Sequence, residues 1–146
     1  MNKILKIAIG CDHAGFLLKE ELKSYIEKRG NSVKDFGCYS EERADYPDAA
    51  HAVAKSVTSK ESEIGILICG SGNGINMTAN KHQEIRSALC WNKEIAELAR
   101  LHNNANIIAL PARFITIKEA IEMVDVFLQT NFEGGRHSQR VNKISC

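Results

Sequence analysis

The amino-acid sequence predicts an α/β fold, a three-layer α/β/α sandwich built on a five-stranded parallel sheet. Two observations carry this. Strand-like apolar runs and helix-period stripes alternate five times, over short connections and without an internal repeat. The run Ile64-Gly-Ile-Leu-Ile-Cys69 is continuously apolar and passes into a glycine-rich turn, the pattern of a strand buried on both faces and therefore of a parallel sheet covered by helices. Five strands suit the order 2-1-3-4-5, whose switch point lies between the first and third strands; ligands bind outside the carboxyl ends there.

Ile4-Leu-Lys-Ile-Ala-Ile-Gly10 reads as the first strand. Residues 14–29 follow as a helix, with apolar positions 17, 18, 22 and 26 and Gly30 as its C-cap. Ser32-Val-Lys-Asp-Phe36 alternates and is short, which suits a second strand near an edge. A polar loop spans 37–45, and Tyr46-Pro47-Asp48 opens a second helix with proline in its first turn. Apolar residues at 49, 50, 53, 54 and 57 carry that helix to about Thr58. The central strand at 64–69 comes third, then a short helix from Gly74 or Ile75 to His82. Arg86-Ser-Ala-Leu-Cys90 is the fourth strand and 93–101 an alanine-rich helix. Ala105-Asn-Ile-Ile-Ala-Leu110 is the fifth strand, stopped by Pro111, and 117–128 the fifth helix. Residues 131–146 form a polar, basic tail with room for a few helical turns.

A chain of 146 residues fits one domain and is long enough to bury a core. The formal charge of +1 gives no compositional support to a nucleic-acid partner. The longest apolar runs are too short to span a bilayer, and the start, Met-Asn-Lys-Ile-Leu-Lys, leads into a strand without the shape of a signal peptide. Cysteines 11, 38, 69, 90 and 146 are odd in number and form no Cys-x-x-Cys pair, which argues for reduced thiols in a cytoplasm and against a disulfide framework or cysteine-rich zinc site. The five histidines read as too scattered for a metal site, and no His-x-x-x-His or paired carboxylate strengthens one.

Two segments leave the predicted crevice: Cys11-Asp-His-Ala-Gly15 and Cys69-Gly-Ser-Gly-Asn-Gly74. Cys69 ends its strand facing a turn of amide donors, and a helix N-terminus draws a thiol from ~8.5 toward a usable base or nucleophile; plain packing is the competing reading. A phosphatase-type loop would need arginine where Ile75 stands. The turn also fails the dinucleotide fingerprint and lacks the Gly-Lys-Ser/Thr ending of a P-loop. What is left is a hole for an oxyanion or enolate. Asp12 is either the cap of the first helix or a ligand group, and His13 faces the crevice, where it can bind a phosphate or hydroxyl.

In the tail, Glu133-Gly-Gly-Arg-His-Ser-Gln-Arg140 spaces Arg136 and Arg140 at i and i+4, one face if helical. The pair is a solvated charge run or a phosphate clamp, with Arg113 a third candidate. His102-Asn103 end the fourth helix. A crossover helix ends at the side of the sheet opposite Cys69, tens of ångströms away by helix length, so His102 can join Cys69 only from a second subunit.

Taken together, Gly10-Cys-Asp-His-Ala-Gly15, Asp45-Tyr-Pro47, Gly65-Ile-Leu-Ile-Cys-Gly-Ser-Gly-Asn-Gly-Ile75, Ala79-Asn-Lys81, His102-Asn-Asn104 and Glu133-Gly-Gly-Arg-His-Ser-Gln-Arg140 resemble the type B ribose-5-phosphate isomerases, whose wider family includes the galactose-6-phosphate isomerase subunits. The resemblance spans essentially the whole chain, with the motifs in the same order. It implies a Rossmann-like sheet, a homodimer or dimer of dimers with a shared site, no metal, no cofactor and a place in the non-oxidative pentose phosphate pathway. By motif it makes Cys69 the base that moves a proton between carbon 1 and carbon 2. Ser71 assists where the family often has Thr, and Gly70, Ser71, Gly72, Asn73 and Gly74 offer amides to the enediolate oxygen. His102 opens the furanose ring and Asn103 binds sugar. Asp12, His13 and Tyr46 line the sugar; Arg113, Arg136 and Arg140 hold phosphate. Aldose–ketose exchange needs one base that removes and returns a proton, fixed donors where charge develops, and a remote handle for orientation. A six-carbon sugar phosphate, allose or galactose 6-phosphate, is the alternative substrate; a non-catalytic phosphate- or nucleotide-sensing module with Cys69 merely packed is the alternative class.

Overall fold

At the centre lies β3, Ile64–Cys69, every residue of which is buried. In the computed structural model, which describes residues 3–146, it pairs in parallel with β1 (Lys6–Cys11) on one side and β5 (Ile107–Pro111) on the other. Outside these lie β2 (Ser32–Asp35), paired with β1, and β4 (Ser87–Leu89), paired with β5. All four pairings are parallel, as expected, but the order is β2-β1-β3-β5-β4 rather than 2-1-3-4-5.

Burial explains the exchange of the last two strands. β5 is buried along its whole length, whereas β4 has three residues, only one of them buried. An interior position removes both strand faces from water, and each Ile or Leu so covered contributes about 1.5–3 kcal/mol. The more apolar strand therefore takes the place beside β3, and the short one makes a tolerable edge. Asn80 supports that edge: its side-chain amide donates to Ser87 O at 2.9 Å and its oxygen accepts from Ser87 N at 2.8 Å.

Helices α1 (Phe16–Lys28), α4 (Lys93–Asn103) and α5 (Ile117–Gln129) pack on one face, around Leu22, Ile26, Ala96, Met123 and Phe127. The other face is covered by α2 (Tyr46–Thr58) and α3 (Asn73–Ala79), through Ala50, Val53, Ala54, Ile75 and Ala79. A single 3₁₀ turn, His13–Gly15, precedes α1, so the first helix starts later than its periodicity suggests. α3 stops at Ala79, short of His82, and turns at once toward β4. In the tail, α6 (Arg136–Asn142) packs against α4.

Among the described residues one charge, that of Lys19, is fully inside. The Lys19 ammonium has no exposed surface; it donates to both carboxylate oxygens of Asp35 at 2.7 Å and to Cys38 O at 2.6 Å. Burial alone would raise the Asp35 pKa, but Lys19 and the Gly37 amide outweigh it and hold the carboxyl below its ordinary value. This cluster ties α1 to the end of β2 and to the loop that follows.

Candidate active site

The carboxyl ends of β1, β3 and β5 meet at one crevice. Register places Cys69 beside Pro111 and Ile68 beside Cys11, so the segments after the three strands emerge together. Cys69 is almost fully buried and packs with Leu67, Ile75 and Ala109 on the α2–α3 side. Gly72 bends the chain after it with φ of +77°, a left-handed conformation that leads into α3. Ser71 Oγ accepts from Asn73 N at 3.3 Å. The amides of Ser71 and Gly72 have no acceptor among the described residues and remain as donors for a ligand oxygen.

Around this turn the structure gathers several predicted residues. The Arg113 amide donates to Gly70 O at 3.0 Å, and its guanidinium lies over Gly70, where an added Cβ would sit 3.1 Å from Nη1. The Tyr46 ring rests on Gly74, where an added Cβ would meet the ring at 2.4 Å. Asp12 is buried; its Oδ1 accepts from Ala14 N and Gly15 N at 3.0 and 3.2 Å, and its own amide donates to Ile68 O. Asp12 is thus a cap, with the second carboxylate oxygen not engaged in that role. His13 Nδ1 lies 3.2 Å from both the amide nitrogen and the carbonyl oxygen of Ala44. That contact fastens the 37–45 loop and orients the ring, since only the far nitrogen, Nε2, is left for a ligand.

His102, Asn103, Arg136 and Arg140 are elsewhere. They lie on α4 and α6, at the end of α4 that feeds the start of β5. Register places Ile107 beside Gly65 and Pro111 beside Cys69. Strand rise alone separates these two ends of β5 by about 13 Å. His102 stacks on His137 with centroids 4.2 Å apart and planes 15° from parallel. Glu133, whose amide donates to Leu101 O, points a carboxylate oxygen to 4.0 Å from His137 Nε2. His137 is buried and its Nε2 has no hydrogen-bond partner among the described residues; burial, His102 and Arg136 lower its pKa. Sequence reasoning missed His137 because its neighbour Arg136 carried the argument; the only available signal was its position in the same short motif.

The histidines are also less scattered than expected. His51 Nδ1 is 2.7 Å from His82 Nε2, and His102, Glu133 and His137 bring one ligand atom each within 4.8 Å of one another. In the second group the two imidazole rings are stacked and nearly parallel, with the Glu133 carboxylate beside them. An open cavity of about 980 Å³ at the amino end of the sheet, lined by Tyr25, Arg29, Glu63, Arg100 and Asp125, contains none of the predicted site residues. Among the described residues no helix is long and apolar enough to cross a membrane.

Comparison with known proteins bears on this geometry. A family profile described as Ribose/Galactose Isomerase matches residues 7–144. The chain is 46% identical over 141 residues to ribose-5-phosphate isomerase B of Escherichia coli, covering 97% of this chain and 95% of that protein. A crystal structure of a ribose 5-phosphate isomerase from Thermotoga maritima superposes with a TM-score of 0.95 at 51% identity, over 97% of both chains. The Mycoplasma genitalium ribose-5-phosphate isomerase B, solved with bound ribulose 5-phosphate, gives 0.91 at 43% identity, over 95% of this chain and 93% of that one.

Proposed function

Since the chain belongs to the ribose/galactose isomerase family, we propose that it interconverts ribose 5-phosphate and ribulose 5-phosphate through an enediolate. The single observation that carries the site is Cys69 at the end of a buried strand, beside a left-handed turn whose Ser71 and Gly72 amides have no acceptor among the described residues. In this reading the Cys69 thiolate takes the proton from carbon 2 of the aldose and returns it to carbon 1. The oxygen that becomes negative in the enediolate lies against the amides of residues 70–74, fixed before reaction and needing no reorganisation. Ser71 relays a proton between the two oxygens. Asp12, His13 and Tyr46 line the sugar, and Arg113 reaches its phosphate from above Gly70.

His102 opens the furanose ring, with Asn103 on the sugar and Arg136 and Arg140 on the phosphate, and these come from a second copy of the chain. Their position at the far end of their own sheet supports this assignment, as do exposed Met77, Trp91 and Phe114, three large apolar side chains near the carboxyl-end crevice. His137, stacked on His102 and backed by Glu133, orients the ring-opening imidazole. We place the enzyme in a cytoplasm, in the non-oxidative pentose phosphate pathway; five free thiols fit a reducing compartment.

The test is turnover of ribose 5-phosphate against allose and galactose 6-phosphates. A hexose preference would move the substrate assignment, and absence of turnover with any of them would end it. Cys69→Ala should lose about 10²–10⁴-fold in kcat while still binding sugar phosphate; unaltered turnover leaves Cys69 as packing. Mixing inactive Cys69→Ala and inactive His102→Ala protomers should regenerate some intact sites. If subunits exchange and activity stays absent, the shared site is refuted.

A further inference from the structure

The thiols of Cys11 and Cys38 lie 3.8 Å apart, sulfur to sulfur. Their backbones are joined as well: Cys11 N donates to Gly37 O and Cys38 N donates to Cys11 O at 2.9 Å. Both are free thiols, Cys11 buried and Cys38 half-buried. The catalytic reading uses neither. We propose that this pair is a modification site, an intramolecular dithiol that a hydroperoxide converts to a disulfide and that thereby slows the enzyme.

The two cysteines have unequal parts. Cys38 reaches solvent and is the thiol a peroxide meets. Cys11 is out of contact with solvent, and burial followed by the neighbouring Cys38 pushes its pKa up, so it reacts second. In the first step the Cys38 sulfur attacks one peroxide oxygen; the S–O bond forms, the O–O bond breaks, and the leaving hydroxide takes the thiol proton as water. In the second, the Cys11 sulfur attacks the Cys38 sulfenic acid; the S–S bond forms, the S–O bond breaks, and hydroxide leaves as water with the Cys11 proton. Two thiols and one hydrogen peroxide give one disulfide and two waters, and two electrons pass from sulfur to oxygen.

The effect on turnover follows from what each sulfur is attached to, and that part rests on the site reading above. Cys11 is followed directly by Asp12 and His13. Cys38 begins the loop whose Ala44 holds the His13 ring and whose end delivers Tyr46 to Gly74. Sulfurs now in van der Waals contact must close to about 2.05 Å, and the displacement is taken up by these two segments. Lys19, bonded to Cys38 O inside the core, anchors the loop from below.

The experiment treats the full-length protein with hydrogen peroxide and maps peptides without reduction. The expected product is a Cys11–Cys38 peptide pair lighter by two hydrogens, accompanied by a fall in kcat/KM of about tenfold or more, as expected for displaced positioning groups, and reversed by dithiothreitol. Cys38→Ser should keep basal activity, form no such pair and escape this phase of inactivation; Cys38→Ala is a second test of the same point. Direct oxidation of Cys69 is separated by repeating the mapping in Cys69→Ser, where the link should still form. Absence of the link in both proteins overturns the proposal, and so does a link that leaves kcat/KM unchanged. A protein without isomerase activity before oxidation would instead refute the functional reading and leave the cross-link result standing.

Discussion

Replacing Lys19 by methionine keeps the buried stem and removes the charge, which isolates what the ammonium contributes. Lys19 Nζ is fully buried and makes hydrogen bonds to both Asp35 oxygens and to Cys38 O, while the Asp35 side chain is only 11% exposed. Removing one member of a buried ion pair destabilises by about 3–5 kcal/mol, because the other charge is left without its partner. Lys23 Nζ, 3.3 Å from Asp35 Oδ2, and the Gly37 amide, 2.8 Å from Oδ1, remain, which places the loss near the lower end, about 3 kcal/mol. For a chain of this length that is a fall in Tm of about 10 °C, measured at one fixed protein concentration because assembly would otherwise shift it. The pH dependence adds a second readout. In the native protein the Asp35 pKa is lowered, so its contribution is present above the unfolded value of about 3.9 and lost as pH falls through the folded one. In Lys19→Met that pKa moves up from its native position, because burial is then opposed only by Lys23 and the Gly37 amide, and protonation relieves the poorly paired charge. The stability gap between the two proteins should therefore narrow on going from neutral toward acid pH. Adding Asp35→Leu to Lys19→Met should recover much of the loss. A Tm change below about 2 °C, or a gap that widens in acid, refutes the account.

Three further substitutions separate stability from function. Gly74→Ala sets a Cβ 2.4 Å from the ring of Tyr46, which is 39% exposed and free to swing outward; stability should change by less than about 1 kcal/mol while KM for the sugar phosphate rises, and an unchanged KM would remove Tyr46 from the proposed site. Gly72→Ala has no such escape, since its φ is +77° and its Cβ would lie 2.5 Å from Leu89 Cδ1 and 3.2 Å from the Leu110 carbonyl carbon. Left-handed strain and overpacking together should cost about 3 kcal/mol, and a neutral effect in urea unfolding would contradict the turn geometry. Asn80→Ala deletes both hydrogen bonds to Ser87, about 2 kcal/mol, and amide exchange should quicken first in β4; quickening in β1 or β2 instead would mean that Asn80 does not pin that edge.

Much of this molecule is legible without coordinates because burial and hydrophobic period coincide in it. All five strands and five helices follow from apolar spacing, and the parallel sheet follows from their alternation. The tail helix was legible only as possible turns, because its amphipathic stripe is weak. What pattern alone leaves out are contacts between elements distant in sequence. Lys19 sits in an ordinary helical stripe, and nothing local marks it as buried until Asp35 and the Cys38 carbonyl meet it. His137 and His102 are far apart in sequence, and Cys11 and Cys38 come together only once β1 and the loop after β2 lie side by side.

The exchange of β4 and β5 shows which site inferences depend on such contacts. With β4 beside β3, the segment after β5 would stand a further strand spacing, about 4.8 Å, from Cys69. In the observed order Pro111 pairs with Cys69 and the Arg113 amide bonds Gly70 O, so the guanidinium reaches the turn from the same chain. The placement of His102 is indifferent to that exchange. Whichever position the fifth strand takes, a crossover helix must return to the amino end before it, and α4 delivers His102 and Asn103 there, with Arg136 and Arg140 on α6 packed against it. Topology thus divides the proposed phosphate arginines into two groups. Arg113 stands beside Cys69, and Arg136 and Arg140 travel with His102, so in the proposed site a phosphate held by all three would span two copies of the chain.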